Sequence, residues 1–518
     1  MPEQDPAVDS ASDPASDLTR PAAPRLTPLA QVTEWTGAEL RSPGSDAVEV
    51  TGLSLSSQRV RPGDLYAALP GSRVHGATYA PEAVAAGAVA ILTDEEGAAT
   101  LAGTVTPLLV LDQPRHVLGR LAAMLYAEPA RALTLMAVTG TQGKTTTTRL
   151  LEAALTTAAV PAAVIGTVGT RIAGRDVKTA LTTPEAPDLH ALFAVMVEQG
   201  VTACAMEVSS HALVMGRVAG VVFDVAAFLN LGRDHLDFHA DVEDYFDAKA
   251  SLFTPERSSR GLTNVDDPFG RRLLEEATVP MVTFSPSGQQ ADWRAEDVLL
   301  EPEGSTFTVV TPRQDRFPAR VPLTGGFNVA NALCAIALAG EAGIDPRLVA
   351  EGMARGGGVP GRLERIDEGQ DFLVFVDYAH KPDAVEAALA AVRPLTPGRL
   401  LLVIGAGGDR DIGKRPVMGE IGARLADVLV VTDDNPRTED PAAIRSALLE
   451  GTTGVDGAEV LEIGDRRAAI RRAVDLAGPG DTVVVAGKGH ETGQEIQGTV
   501  HPFDDRDEVR SALRQGDG

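Results

Sequence analysis

Short apolar runs recur along most of the chain, separated by stretches in which apolar residues return every three or four positions. Runs bounded by turn residues read as buried strands, and the longer period reads as helix. Over 26–130 this predicts a small α/β unit with strands at 48–50, 65–69, 89–92 and 108–111. Over 131–358 the strands fall at 133–138, 163–165, 202–206, 225–229 and 261–264, with helices between them, which is the signature of a mostly parallel sheet. Between 293 and 323 the alternation turns to period two, clearest over 306–311, predicting antiparallel strands appended to that sheet. A helix is then expected over 328–342. From 359 to 518 a second alternating block places strands at 372–376, 400–404, 428–431, 460–463 and 482–486, a Rossmann-like doubly wound arrangement. Gly356-Gly357-Gly358 makes a natural hinge before it. The fold class is therefore α/β in three domains, 26–130, 131–358 and 359–518. Residues 1–25, rich in Pro, Ala, Ser and Asp without an apolar period, read as a disordered tail.

A length of 518 residues suits three domains of ordinary size. The formal charge of −26 repels a phosphate backbone and sets nucleic-acid binding aside, leaving anionic small molecules to local basic pockets. Cys204 and Cys334 both lie in apolar runs and read as buried thiols of a reducing compartment. No apolar run approaches the ~20 residues needed to span a bilayer, and no signal peptide is evident, so a cytoplasmic protein without a membrane partner is expected.

Chemistry enters with Gly140-Thr141-Gln142-Gly143-Lys144-Thr145-Thr146, which joins the 133–138 strand to a helical pattern. Glycines let the backbone approach phosphates, and free amides at a helix start face the negative charge. Lys144 adds a cation, and the Thr145 hydroxyl suits Mg²⁺. The usual phosphate loop would have its first glycine at 138, where this chain has Val138, so the loop is a tighter variant. In open α/β sheets functional residues lie beyond the carboxyl ends of strands. After 202–206 come Glu207-Val208-Ser209-Ser210-His211, where Glu207 reads either as a Mg²⁺ ligand or as part of a capping cluster. After 225–229 come Asn230 to His239, with His235 and His239 four apart. A zinc pair there would lack its further ligands.

Together these segments resemble the Mur ligases, ATP-dependent amino-acid-adding enzymes of peptidoglycan synthesis. The resemblance extends through Tyr245-Phe246-Asp247-Ala248-Lys249, Gly326-Phe327-Asn328-Val329-Ala330-Asn331, Gly361-Arg362-Leu363-Glu364 and Val376-Asp377-Tyr378-Ala379-His380-Lys381-Pro382-Asp383, in order over about 26–515. Folylpolyglutamate synthetase shares the loop but not the N-terminal uridine-binding domain. Within the family, Gly408-Asp409-Arg410 and Asp434-Asn435-Pro436-Arg437 resemble members that join diaminopimelate to UDP-N-acetylmuramoyl-L-alanyl-D-glutamate; whether the meso or the LL isomer is used stays open.

The resemblance implies an acyl-phosphate path with ATP as substrate and Mg²⁺ as cofactor; a monomer is the expectation, and the sequence leaves the oligomeric state open. It implies an N-terminal UDP-binding, a central ATP-binding and a C-terminal amino-acid-binding domain. Lys144, Lys249, His235 and Arg362 would be catalytic. ATP would meet Gly140 through Thr146, Asn328, Asn331, Arg362, Asp377 and His380. Metal ligands would be Thr145, Glu207, His235 and Lys249, the last as a carbamate (N6-carboxylysine), since an ammonium cannot ligate a cation. The UDP-sugar would meet Leu55, Ser57, Ser72, Thr182, Thr183, Ser209, Met215 and Arg217. Ser72-Arg73-Val74 and Met215 depart from the residues of familiar relatives. Diaminopimelate would meet Arg410, Asp434, Asn435, Pro436, Arg437, Gly487 and Glu491. Arg437 would grip the extra carboxylate that lysine lacks, as a guanidinium fork can in two places.

Overall fold

The computed structural model describes residues 18–41, 47–71, 73–179, 181–236 and 238–515. The chain divides into two compact units, one made of Met1–Ala137, Val160–Val225 and Ser251–Ser259, the other of Val138–Ala159, Ala226–Ala250 and Arg260–Gly518.

The first unit holds a five-stranded sheet ordered Glu39–Arg41, Leu108–Val110, Ala90–Thr93, Asp64–Ala67 and Gly52–Ser54, parallel except at the Glu39–Arg41 edge. Leu65, Ala67, Leu92 and Leu109 face one apolar cluster and Tyr66, Ile91 and Leu108 another, so both faces of the sheet are buried. That two-sided burial explains why its strands are continuous apolar runs. The same unit carries Ala203–Glu207 parallel to Ala162–Ile165, then a hairpin, Thr170–Ile172 with Arg175–Val177. That hairpin is too polar to have shown in the sequence pattern. Residues 18–25, read above as the end of a tail, are held in place. The Arg20 guanidinium donates to the Tyr126 hydroxyl and, at 2.7 Å, to Leu53 O, beside Asp64 at 3.6 Å. Glu198 accepts from the amides of Ala22 and Ala23. Residues 1–17 of the expected tail lie outside the described residues.

The second unit begins inside strand Thr134–Thr139 and continues into helix Lys144–Thr157. Val225–Phe228, Gly261–Asn264, Met281–Ser285 and Trp293–Glu301 then run parallel in that order. Gly304–Val310 and Arg316–Val321 extend the set as antiparallel strands, as the period-two stretch predicts. The helix expected over 328–342 is Gly326–Glu341. The last sheet orders Glu364–Arg365, Leu373–Asp377, Thr482–Ala486, Leu400–Ile404, Val428–Val431 and Glu459–Glu462, parallel but for its first member. Helices cover both faces, with Leu400, Leu402 and Ile404 packed on one side and Leu401 and Val403 on the other. Each such fully buried Leu, Ile or Val contributes about 1.5–3 kcal/mol. The doubly wound α/β expectation is met. Among the described residues no helix is long and apolar enough to cross a membrane.

Candidate active site

Helix Lys144–Thr157 starts directly after Gly143, whose φ is 86°. A Cβ at Gly143 would lie 2.3 Å from Asn331 Oδ1, so conformation and space both require glycine. Asn230 Oδ1 accepts from the amides of Thr141 and Gln142 at 3.1 and 2.9 Å, and Thr141 Oγ1 lies 3.1 Å from the Tyr245 hydroxyl. The loop is thus braced from the end of the neighbouring strand before any ligand binds. Lys144 Nζ curls back onto Gly140 O at 2.7 Å and Thr141 O at 3.2 Å.

Lys249, on helix Val242–Ala250, is 1% exposed. Its Nζ donates to Gly140 O at 3.0 Å and sits 4.5 Å over the Tyr245 ring. No carboxylate forms an ion pair with it among the described residues. Burial first, and then the Lys144 charge, pushes its amine well below the ordinary lysine value.

Asp234 pairs with Lys381 and lies 3.2 Å from His235 Nε2. Burial pushes the Asp234 carboxyl up, but Lys381 and His235 outweigh it and hold it low. Arg362 Nη2 donates to Thr145 Oγ1 at 3.2 Å, and its guanidinium lies 4.6 Å over the Tyr378 ring. Its Nε is buried and has no hydrogen-bond partner among the described residues. Asp377 Oδ2 and Oδ1 accept from the amides of Leu363 and Ala379 at 2.7 and 2.8 Å, so the strand-end carboxylate holds the turn that presents Arg362. His380 Nδ1 lies 2.7 Å from Tyr378 O, and burial, then Lys381, pushes its imidazole down to about 4. Asn328 and Asn331 are buried: Asn328 donates to Thr324 O at 2.8 Å, and Asn331 donates to Asn328 Oδ1 at 3.2 Å. Their i, i+3 spacing therefore serves a mutual bond beneath the loop glycine.

The segment after strand Val428–Val431 turns through Asp434, Asn435, Pro436 and Arg437. Arg437 has φ 52°, a left-handed backbone that costs about 1–3 kcal/mol in a non-glycine residue. Two backbone bonds hold it there, Arg437 N to Glu495 O at 3.0 Å and Gln497 N to Arg437 O at 2.7 Å. Its Nη1 donates to Gly408 O at 2.7 Å and its Nε lies 3.3 Å from Glu495 Oε2. Asn435 Nδ2 donates to Glu491 Oε2 at 2.8 Å. Gly487, with φ 120°, would carry a Cβ 2.5 Å from Asp434 Oδ2. Arg410 is exposed.

In the first unit Glu207 ends strand Ala203–Glu207, 1% exposed. Its carboxylate accepts from Thr167 N at 2.8 Å and Thr167 Oγ1 at 3.1 Å and has no ion-pair partner among the described residues. Thr183 Oγ1 donates to Glu207 O at 2.9 Å and accepts from Ser209 N at 3.2 Å, while Thr182 Oγ1 lies 3.1 Å from Thr167 Oγ1. Ser209 Oγ caps the next helix through Ala212 N. Arg217 Nε donates to Glu185 Oε1 at 2.8 Å, with Met215 Sδ 3.4 Å from Nη2. Ser57 Oγ donates to Glu82 Oε2 at 2.9 Å, and Leu55 is partly buried against the apolar cluster of its sheet. Ser72, and Asp237 of the His235 segment, lie outside the described residues.

Sequence reasoning assigns no role of their own to Thr167, Glu185, Lys381, Tyr378 and Lys488, although Tyr378, Lys381 and Lys488 lie within motifs that carry the resemblance. Thr167 follows strand Ala162–Ile165, so reading every strand end would have found it. Glu185, Lys381 and Tyr378 meet side chains far away in the chain, Arg217, Asp234 and Glu491, and Lys488 meets Asn435 as well as nearby Glu491.

Comparison with known proteins decides the family. Models of the Mur ligase family catalytic domain, the Mur ligase middle domain and the Mur ligase glutamate ligase domain match residues 49–126, 138–339 and 361–489. A UDP-N-acetylmuramoyl-L-alanyl-D-glutamate--2,6-diaminopimelate ligase of Streptomyces avermitilis is 55% identical, over 96% of this chain and 99% of that one. The chain belongs to the Mur ligase family. A ligase of the same description from Streptomyces coelicolor is 53% identical to this Mur ligase over 97% of it and 100% of the relative. A solved structure of that description is 34% identical with a TM-score of 0.67, covering 94% of this Mur ligase and 99% of that chain. As a Mur ligase the protein is an ATP-dependent, amide-forming ligase.

Proposed function

We propose that this Mur ligase adds diaminopimelate to the D-glutamyl γ-carboxylate of UDP-N-acetylmuramoyl-L-alanyl-D-glutamate, in cytoplasmic peptidoglycan precursor synthesis. The observation that carries the choice of amino acid is the Asp434–Arg437 turn. The backbone of Arg437, left-handed, is locked by Glu495 and Gln497, its guanidinium reaching Gly408 O and the Glu495 carboxylate, while Asn435 in the same turn holds Glu491. Arg437 would take the distal carboxylate and Glu491 the distal ammonium. The names of the similar ligases support the same substrate.

The loop amides of 140–146 would cradle the ATP phosphates, Lys144 leaving Gly140 O to reach them. The γ-phosphoryl passes to the acceptor carboxylate, breaking the phosphoanhydride bond and forming an acyl phosphate. The α-amine of diaminopimelate then attacks the acyl carbon and phosphate departs. Arg362, beside Thr145, would neutralise charge on the transferring group. Asp377 acts on it indirectly, by fixing the 361–363 turn. Leu55, Ser57, Thr182, Thr183, Ser209, Met215 and Arg217 belong to one unit and would hold the UDP-sugar, with Ser72 beyond the described residues.

In the first unit Glu207, a buried carboxylate with no ion-pair partner among the described residues, suits a cation ligand; in the second unit Thr145 and His235 each offer a donor of their own, oxygen and nitrogen. Mg²⁺ at such donors would neutralise phosphate charge. Among the described residues no three His, Cys, Asp or Glu side chains gather as a metal cluster. Lys249 as N6-carboxylysine would supply the missing carboxylate. The three-domain division at 130 and 358 belongs to this reading. Phosphate release that requires ATP, the UDP-dipeptide and an amino acid together tests it; turnover of ATP alone would contradict it.

A further inference from the structure

Lys488 follows Gly487 at the end of strand Thr482–Ala486 and is fully buried, 0% exposed. Its Nζ lies 3.0 Å from Asn435 Oδ1, 3.2 Å from Glu491 Oε2 and 3.9 Å from Asp434 Oδ1. Asn435 completes the ring, donating to Glu491 Oε2 at 2.8 Å and accepting from Glu495 N at 3.0 Å. One oxygen of Glu491 is therefore anchored by two donors. Among the described residues the other, Oε1, meets only the Tyr378 hydroxyl, at 3.4 Å, and the side chain remains 33% exposed.

A buried ammonium loses several kcal/mol of hydration, and pairing it with carboxylates rarely returns more than an apolar side chain of the same length would. Fold stability is thus a poor reason for Lys488. Its geometry does something an apolar residue would not: it bonds both Asn435 Oδ1 and Glu491 Oε2 and leaves Oε1 out of that ring. We propose that Lys488 is a positioning residue for the incoming amino acid, holding Glu491 so that Oε1 receives the distal ammonium. The inference rests on the function proposed above.

The test uses the full-length enzyme with saturating ATP and UDP-dipeptide and two acceptors, diaminopimelate and its analogue without the distal amine (2-aminopimelate). Lys488→Met raises KM for diaminopimelate at least ~10-fold, the loss of one hydrogen bond to a charged group. It leaves kcat and KM for ATP within about 3-fold, and it leaves KM for 2-aminopimelate unchanged. Equal damage with both acceptors, or an unchanged KM for diaminopimelate, overturns the proposal. Should Lys488→Met not fold, Lys488→Arg carries the same comparison, since it keeps the charge and displaces the donor. A wild-type enzyme that prefers lysine would overturn the proposed substrate alone, and the comparison would pass to lysine against norleucine.

Discussion

Lys249 Nζ and Lys144 Nζ donate to the same carbonyl oxygen, that of Gly140, at 3.0 and 2.7 Å. Two ammonium groups on one oxygen repel each other, and the Asp234 charge does not outweigh burial and the Lys144 cation at Lys249, which has no ion-paired carboxylate among the described residues. The strain is relieved if Lys249 is a neutral amine, which is the form that adds CO₂, giving a carbamate and releasing one proton. Enzyme equilibrated with ¹³C-bicarbonate should show one carbamate carbon resonance, absent from Lys249→Met. Lys249→Met should lose activity by about 10²–10³ while keeping its fold. Full activity with no resonance would rule the modification out.

Arg362 should matter for rate and little for stability, since it reaches Thr145 from a turn held by Asp377. Arg362→Ala is expected to lower kcat about 10³-fold at saturating substrates, as loss of a charge-stabilising arginine does in phosphoryl transfer. Arg362→Lys should recover little, because a lysine lacks the flat guanidinium that stacks on Tyr378. A kcat within threefold of wild type for Arg362→Lys would argue against a stacked, directional role.

The parts of the fold read from sequence are those whose apolar runs are buried on both faces. Gly261–Asn264, Leu400–Ile404, Val428–Val431 and Thr482–Ala486 fall where the pattern puts them. The hairpin Gly493–Ile496 with Thr499–Pro502 has no apolar alternation and left no mark, yet it supplies the backbone that fixes Arg437. Arg20, at the end of a low-complexity stretch, looks like any tail arginine until Tyr126, over a hundred residues on, accepts its hydrogen bond. Buried charge is illegible for the same reason. Nothing local separates Lys488, or Arg466 with its buried partner Asp505, from surface residues. Asn328 and Asn331 were legible as a pair on one helix face, but not as a pair bonded to each other under Gly143.

His190 is fully buried, with Nε2 3.1 Å from Ala219 O, and burial pushes its imidazole down to about 4. Its folded value lies below the unfolded value near 6.5, so between the two the unfolded chain binds more protons. Stability is therefore full above about pH 6.5 and falls as pH drops toward 4, by about 3 kcal/mol from this group. Denaturant midpoints across that range should fall less steeply for His190→Leu than for wild type. Parallel slopes would show that His190 does not titrate this way.

Arg437→Ala should raise KM for diaminopimelate about 100-fold, the cost of removing one partner of a charge-assisted pair. KM for ATP should not change, because Arg437 touches only Gly408, Glu495 and Gln497 among the contacts described. An equal rise for ATP would show that the variant disturbs the whole second unit.

The substrate assignment is tested most directly by offering the enzyme ATP, the UDP-dipeptide and equal concentrations of meso-diaminopimelate, LL-diaminopimelate and lysine, then identifying the product by mass. A diaminopimelate isomer should be incorporated and lysine left. Preferential incorporation of lysine would contradict the assignment, and with it the role given to Arg437.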